Sequence, residues 1–159
     1  MTTAADLIAY LVTKGCLPMV AGLQPLGAPP QGTLIPPQER AAMGFRGPGY
    51  AFRYETYTGA LIADFGADSC TLRAADQDAD QALQVLHSAI THDYADLAAQ
   101  EGPDGADPMR TLRTYTARVT DKRYARITVA FPRLGAPVRI GFEVRVAGLE
   151  AIGRRAAAG

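Results

Sequence analysis

The chain has 159 residues, the size of one domain with a buried core. Hydrophobic residues make up 48% and charged residues 20%, which sets it apart from disordered and fibrous chains. Sixteen basic and sixteen acidic residues cancel, so no global field draws the protein to nucleic acid or to an anionic membrane.

At the N-terminus, Ala4, Leu7, Ile8, Leu11 and Val12 recur with helical spacing and predict a short amphipathic helix over 4–14. Thr3 is placed to cap it and Asp6 favours its first turn. Gly15 suits the C-terminal cap, and Pro18 argues against continuation. No apolar run reaches the ~20 residues of a membrane helix, so no membrane insertion is expected. Asp6 interrupts the first apolar stretch and no basic leader precedes it. The default location is therefore the cytoplasm, although a trimmed signal peptide would leave the same sequence.

Residues 18–49 hold seven prolines and six glycines, a density that breaks helix and ladder alike. They read as an irregular strap over the sheet, carrying Met19, Val20, Leu23, Leu26, Leu34 and Ile35. Within it Pro37–Met43 allows one or two helical turns, stopped by Gly44. Three strands follow, Tyr50–Tyr57, Ala60–Phe65 and Ser69–Ala74, then a long helix over Asp78–Leu97 with Asp76 or Asp78 as cap. Leu83, Leu86, Ile90, Tyr94 and Leu97 form its apolar stripe, and Ala82, Val85 and Ala89 a shallower strip able to receive the N-terminal helix. A polar loop is expected through Pro108. Alternation over 111–146 then predicts an antiparallel meander ending in Val138–Val146.

The expected architecture is one α+β domain over residues 1–147. It has an antiparallel sheet of five to six strands, with the long helix and the short N-terminal helix on one face. Residues 148–159 read as a flexible tail.

Charge is segregated despite its zero sum. Asp64–Asp107 holds ten acids and one base, whereas Arg110–Arg145 holds nine bases and two acids. Arg118, Arg126, Arg139 and Arg145 alternate with apolar residues and define a candidate anion-binding strand face. Arg113 shares the parity of Tyr115, which turns it toward the other face. Few aromatics join these arginines, so nucleic acid is not the favoured partner. A cleft between the strap and the long helix would offer Tyr50, Arg53, Tyr54 and His87 to a small ligand or substrate.

Other chemistry is excluded more firmly. Asp76–Gln77–Asp78–Ala79–Asp80 opens like a calcium loop, but Gln81 stands where that loop needs glycine and His87 where it needs glutamate. His87 and His92 sit about 140° apart around a helix and do not share a metal. Cys16, Cys70 and the two histidines have no zinc spacing. No hydrolase or phosphate-loop signature occurs, so no catalytic residue, metal or cofactor is assigned. The leading reading is a non-enzymatic binding or protein-interaction domain, a homodimer being one form such an interaction takes. Cys16 and Cys70 fit either two buried thiols or one disulfide, and the disulfide would place the chain in the periplasm or outside the cell.

The order of elements resembles small exported proteobacterial proteins of unknown function: a helix ending in Cys16–Leu17–Pro18, a strand, Asp68–Ser69–Cys70–Thr71–Leu72, a helix and a late meander. It covers most of residues 4–146. The resemblance implies a Cys16–Cys70 disulfide and an exported location, and it brings no catalytic residue.

Overall fold

A computed structural model describes residues 2–23, 32–75, 79–94, 97–107, 109–132 and 141–149. Helix α1 (Ala4–Tyr10) passes through a π-type stretch (Leu11–Cys16) into α2 (Leu17–Val20). Strand β1 (Thr33–Leu34) and helix α3 (Pro37–Ala42) precede β2 (Gly49–Thr56), β3 (Gly59–Gly66) and β4 (Ser69–Ala74). Helix α4 (Ala79–Asp93) leads to β5 (Leu97–Pro103), β6 (Arg110–Thr120), β7 (Arg123–Pro132) and β8 (Phe142–Gly148).

The α+β class and the antiparallel sheet are as expected, but the sheet has 8 strands in the order β1-β2-β3-β4-β8-β7-β6-β5, more than the five or six read from the sequence. The added strands lie at the two edges. β1 comes from the strap and pairs with β2. β5 takes residues expected to lie in or after the long helix, because β6 presents an edge whose backbone groups need partners. The long helix accordingly ends at Asp93 rather than Leu97. Asp76 and Asp78, expected as its caps, lie outside the described residues, as do Leu26, Val138, Arg139 and Ile140.

The N-terminal helix runs past both of its expected stops. Thr3 caps its start by accepting from the Asp6 N–H at 3.2 Å. Gly15 lies within the π-type stretch, where the Leu17 N–H reaches back five residues to the Val12 carbonyl. Pro18 has no N–H to offer Thr13 in that register, and the Tyr94 hydroxyl donates to the Thr13 carbonyl instead, at 3.3 Å. The helix ends at Gly22, whose φ of 77° is the left-handed conformation that a C-terminal cap requires. The Gly22 N–H reaches Met19 and the Leu23 N–H reaches Pro18, the paired bonds of a Schellman motif.

One sheet face meets the helices. Tyr54, Leu61, Ala63, Leu72, Ile127, Val129, Phe142, Val144 and Val146 pack there against Ile8, Leu11, Val12, Leu17, Leu86 and Ile90. Lys14 bridges to Asp93 at 3.1 Å and joins the N-terminal helix to α4. Cys16 and Cys70 meet in this core with their Cα atoms 5.8 Å apart and their sulfurs at disulfide distance. Where a fraying tail was expected from residue 148, Gly148 ends β8 and Leu149 is buried, its N–H bonded to Tyr124. No helix among the described residues is long and apolar enough to cross a membrane.

Candidate functional site

The four residues expected to line a ligand cleft do not converge. Tyr54 is buried in the core, and burial pushes its phenol above the ordinary range. Tyr50 lies on the same side of β2 and is 67% exposed. Arg53 lies on the opposite side, 3.3 Å from Glu39 of α3. His87 projects from α4 over β6, five strand positions from β2, which is about 24 Å at ~4.8 Å per step. The described part of the strap from Ile35 to Pro48 packs on the sheet face opposite α4, so no cleft forms between the two. Pro18 and Leu23 do frame a shallow depression of about 460 Å³ with Lys14, His92, Asp93 and Tyr94, which includes none of the four. In its wall, hydrogen bonding from His92, assisted by Lys14, holds the Asp93 carboxyl below its usual range. Burial, with Asp93 nearby, pushes the Tyr94 phenol up to about 12.

His87 instead joins a cluster that the sequence did not single out. The Tyr115 hydroxyl lies 2.9 Å from His87 Nδ1 and accepts from Arg113 at 3.3 Å. Arg113 also donates to Glu101 at 2.8 Å. Burial lowers the Arg113 pKa, and the bonds to Tyr115 and Glu101 more than offset this, so the net shift is upward. With Ala99 and Gln100 these side chains line an open depression of about 390 Å³. The parity that turned Arg113 toward Tyr115 was the available signal; Glu101 had none, because β5 was not foreseen.

The second sheet face is divided in two. Over β2, β3 and β4 the strap is fastened by Arg40, which donates to Asp64 through Nε at 2.6 Å and to the Gly47 carbonyl at 2.7 Å. Hydrogen bonding to Asp64 raises the Arg40 pKa against the opposing effect of burial. Gly49 sits beside this clamp with φ 154°, and a Cβ there would come within 2.7 Å of the Arg40 guanidinium. Arg73 donates to the Met43 carbonyl at 2.9 Å, to Glu143 at 2.8 Å, and lies 4.3 Å from the centre of the Phe45 ring.

Beyond Arg73, the described residues Arg145, Arg126 and Arg118 are exposed on this face. Register places four arginines on one straight diagonal across adjacent strands. Arg73 of β4 is opposite Glu143, and two residues on in β8 stands Arg145, opposite Thr128 of β7. Arg126 is two residues back from Thr128 and faces Thr116 of β6, from which Arg118 is two residues on. Each step is a diagonal cross-strand neighbour, ~7–8 Å in the sheet geometry. Arg118, Arg126 and Arg145 are all exposed, and Thr71, Thr114, Thr116 and Thr128 lie between and beside them. The described positions of β5, β6 and β7 on this face carry no acid. Glu143, at the strap end, is bonded to Arg73 and lies 3.9 Å from Arg145. Arg139, the remaining arginine of the expected set, lies outside the described residues. Arg73 was not in that set.

No group of three or more potential metal ligands occurs among the described residues. No known protein family, curated protein or solved structure matches the chain significantly.

Proposed function

We propose that the protein is a non-enzymatic binding module whose working surface is the open half of the sheet, and that it takes an acidic partner. The observation that carries this reading is the arginine diagonal on an exposed, threonine-lined surface. Like charges set ~8 Å apart repel by about 0.5 kcal/mol per pair even at the dielectric of bulk water. Glu143 offsets part of that repulsion where it meets Arg73 and Arg145, and an anionic partner would add to this compensation. The Cys16–Cys70 pair at disulfide distance supports an exported protein working in an oxidising compartment.

Retention on a heparin column tests the surface without assuming a natural partner. The protein is expected to be retained at about 20 mM NaCl and released by about 200 mM, as screening shortens the reach of exposed charges. The double variant Arg126→Ser, Arg145→Ser should elute clearly earlier while melting at the same temperature, because both residues are exposed. Equal elution of the two proteins overturns the assignment of the surface.

A further inference from the structure

We infer that β5 is an interaction edge at which two copies of this chain pair their β5 strands antiparallel, joining two sheets into one. This edge ends the strand order and is distinct from the arginine-bearing face. An edge strand presents unpaired N–H and C=O groups, and proteins blunt such edges with charge, proline, bulges or short length. At the far edge β1 is blunted by length, having 2 residues with Pro36 and Pro37 close behind. β5 is not. Its 7 residues pair with β6 without a bulge, Ala98, Ala99, Gln100 and Glu101 are exposed, and its one charge, on Glu101, is met by Arg113. The direction of its backbone follows from one bond. The Asp104 N–H reaches the Arg110 carbonyl of β6 at 3.2 Å, so the alternate residues Gly102, Gln100 and Ala98 also turn their backbone groups to β6. Leu97, Ala99 and Glu101 turn theirs outward, where no described strand pairs with them.

What fits this edge is the edge itself. Directly opposed residues of antiparallel strands share a sheet face, so β5 meets its copy with residues of like parity opposite each other. A two-fold axis at Gln100 keeps all 7 residues paired. It sets Ala99 opposite Glu101 of the second copy and Leu97 opposite Pro103, whose missing N–H removes a bond only at the ends. Moving the axis to Glu101 would instead set two glutamates face to face. The depression of about 390 Å³ completes the match. Ala99 lines it with His87, and so small a side chain leaves room for a longer one from the facing strand. The Tyr115 hydroxyl accepts from Arg113 and so donates onward to His87 Nδ1, which leaves the proton of the neutral ring on Nε2. Glu101 of the second copy brings the acceptor, because Arg113 occupies only its Oε2. Each copy offers both donor and acceptor, and the contact forms twice. The two glutamates then lie on a diagonal across the interface, each compensated by its own Arg113.

Sedimentation velocity should find a dimer at about 200 µM that dissociates by about 2 µM, because an interface of this size is a weak one. Ala99→Pro removes an outward N–H and no bond to β6, so the variant should keep its melting temperature yet sediment as a monomer at both concentrations. In hydrogen exchange, the Leu97, Ala99 and Glu101 amides should be protected in concentrated wild type and exchange rapidly in the proline variant. Should that variant fail to fold, Ala99→Glu and Ala99→Lys carry the test. Opposite Glu101 of the second copy the glutamate should weaken the dimer and the lysine should not, a difference of about tenfold in dissociation constant over the two symmetric contacts. A wild type that is monomeric at about 200 µM overturns the inference, and protected amides in such a monomer assign the edge to another segment of the same chain. A dimer that survives Ala99→Pro has its interface elsewhere, which also overturns it. Equal dimerisation of the glutamate and lysine variants overturns the register.

Discussion

Reducing the Cys16–Cys70 link gives the sharpest test of how the N-terminal segment is held. The two cysteines are 54 residues apart in the chain and both are within 1% of complete burial. On the chain-entropy relation, closing a loop of that length removes about 14 cal/mol/K from the unfolded ensemble, or about 4 kcal/mol at room temperature. For a domain of this size a urea slope of about 2 kcal/mol/M turns this into a midpoint lower by about 2 M after reduction. Comparing oxidised with reduced wild type is the right perturbation, because a serine or alanine at either position would also alter core packing. The assay is urea unfolding followed by far-UV circular dichroism, with and without reductant. A parallel thiol titration of the denatured, unreduced protein should find no free thiol. Two free thiols would refute the link itself. Coincident unfolding curves in a protein shown to be cross-linked would refute the entropic reasoning, because the loop ends would then already be close in the unfolded chain.

Two further measurements probe the contacts that hold the strap and the helices to the sheet. The Arg40 and Asp64 side chains are each only 10% exposed, so Asp64→Asn strands a buried cation and should destabilise the fold by about 3 kcal/mol in urea melts. The double variant Arg40→Met, Asp64→Leu should recover most of that loss, and a double variant no more stable than the single would show that the strap needs the charges themselves. Acid should loosen the contact between the N-terminal helix and α4. The folded Asp93 carboxyl titrates below its unfolded value of 3.8, so its stabilisation is complete above that value and disappears as the pH falls through the folded one. Asp93→Asn should flatten the stability profile in that window, and an unchanged acid limb would remove Asp93 from the account.

Elements governed by local pattern were legible before the structure. The stripe Leu83, Leu86, Ile90 on α4 is buried as its spacing required, and Gly44 stops α3 with φ 91°. The departures share one cause, a distant group overriding a local rule. Gly15 and Pro18 are sound stop signals until the Tyr94 hydroxyl supplies the bond that Pro18 cannot. Leu97–Pro103 has a poor composition for a strand, two alanines and a Gly-Pro end, and becomes one because β6 had an edge to fill. The expected ligand set failed for a related reason. Tyr50, Arg53 and Tyr54 are close in sequence, but alternation sends Arg53 to the opposite face, and the strand order carries β2 away from His87.

The candidate surface was half legible, and the missing half is what gives it a direction. Alternation alone put Arg118, Arg126 and Arg145 on one face, because each shares its parity with solvent-facing neighbours. Parity cannot say which residue of one strand lies opposite which of the next. It also cannot reveal that β8 inserts between β4 and β7, which joins the first three-strand set to the late meander. That insertion aligns Arg73 with the other three and turns scattered positive charges into a line. The register thus gives the charges a fixed step across adjacent strands, with Glu143 set between Arg73 and Arg145. The same insertion places the Arg73–Phe45 contact, and with it the edge of the strap, at the head of the row. The strap thereby limits how much of the row is exposed, and the buried Arg40–Asp64 pair fastens the strap to the sheet.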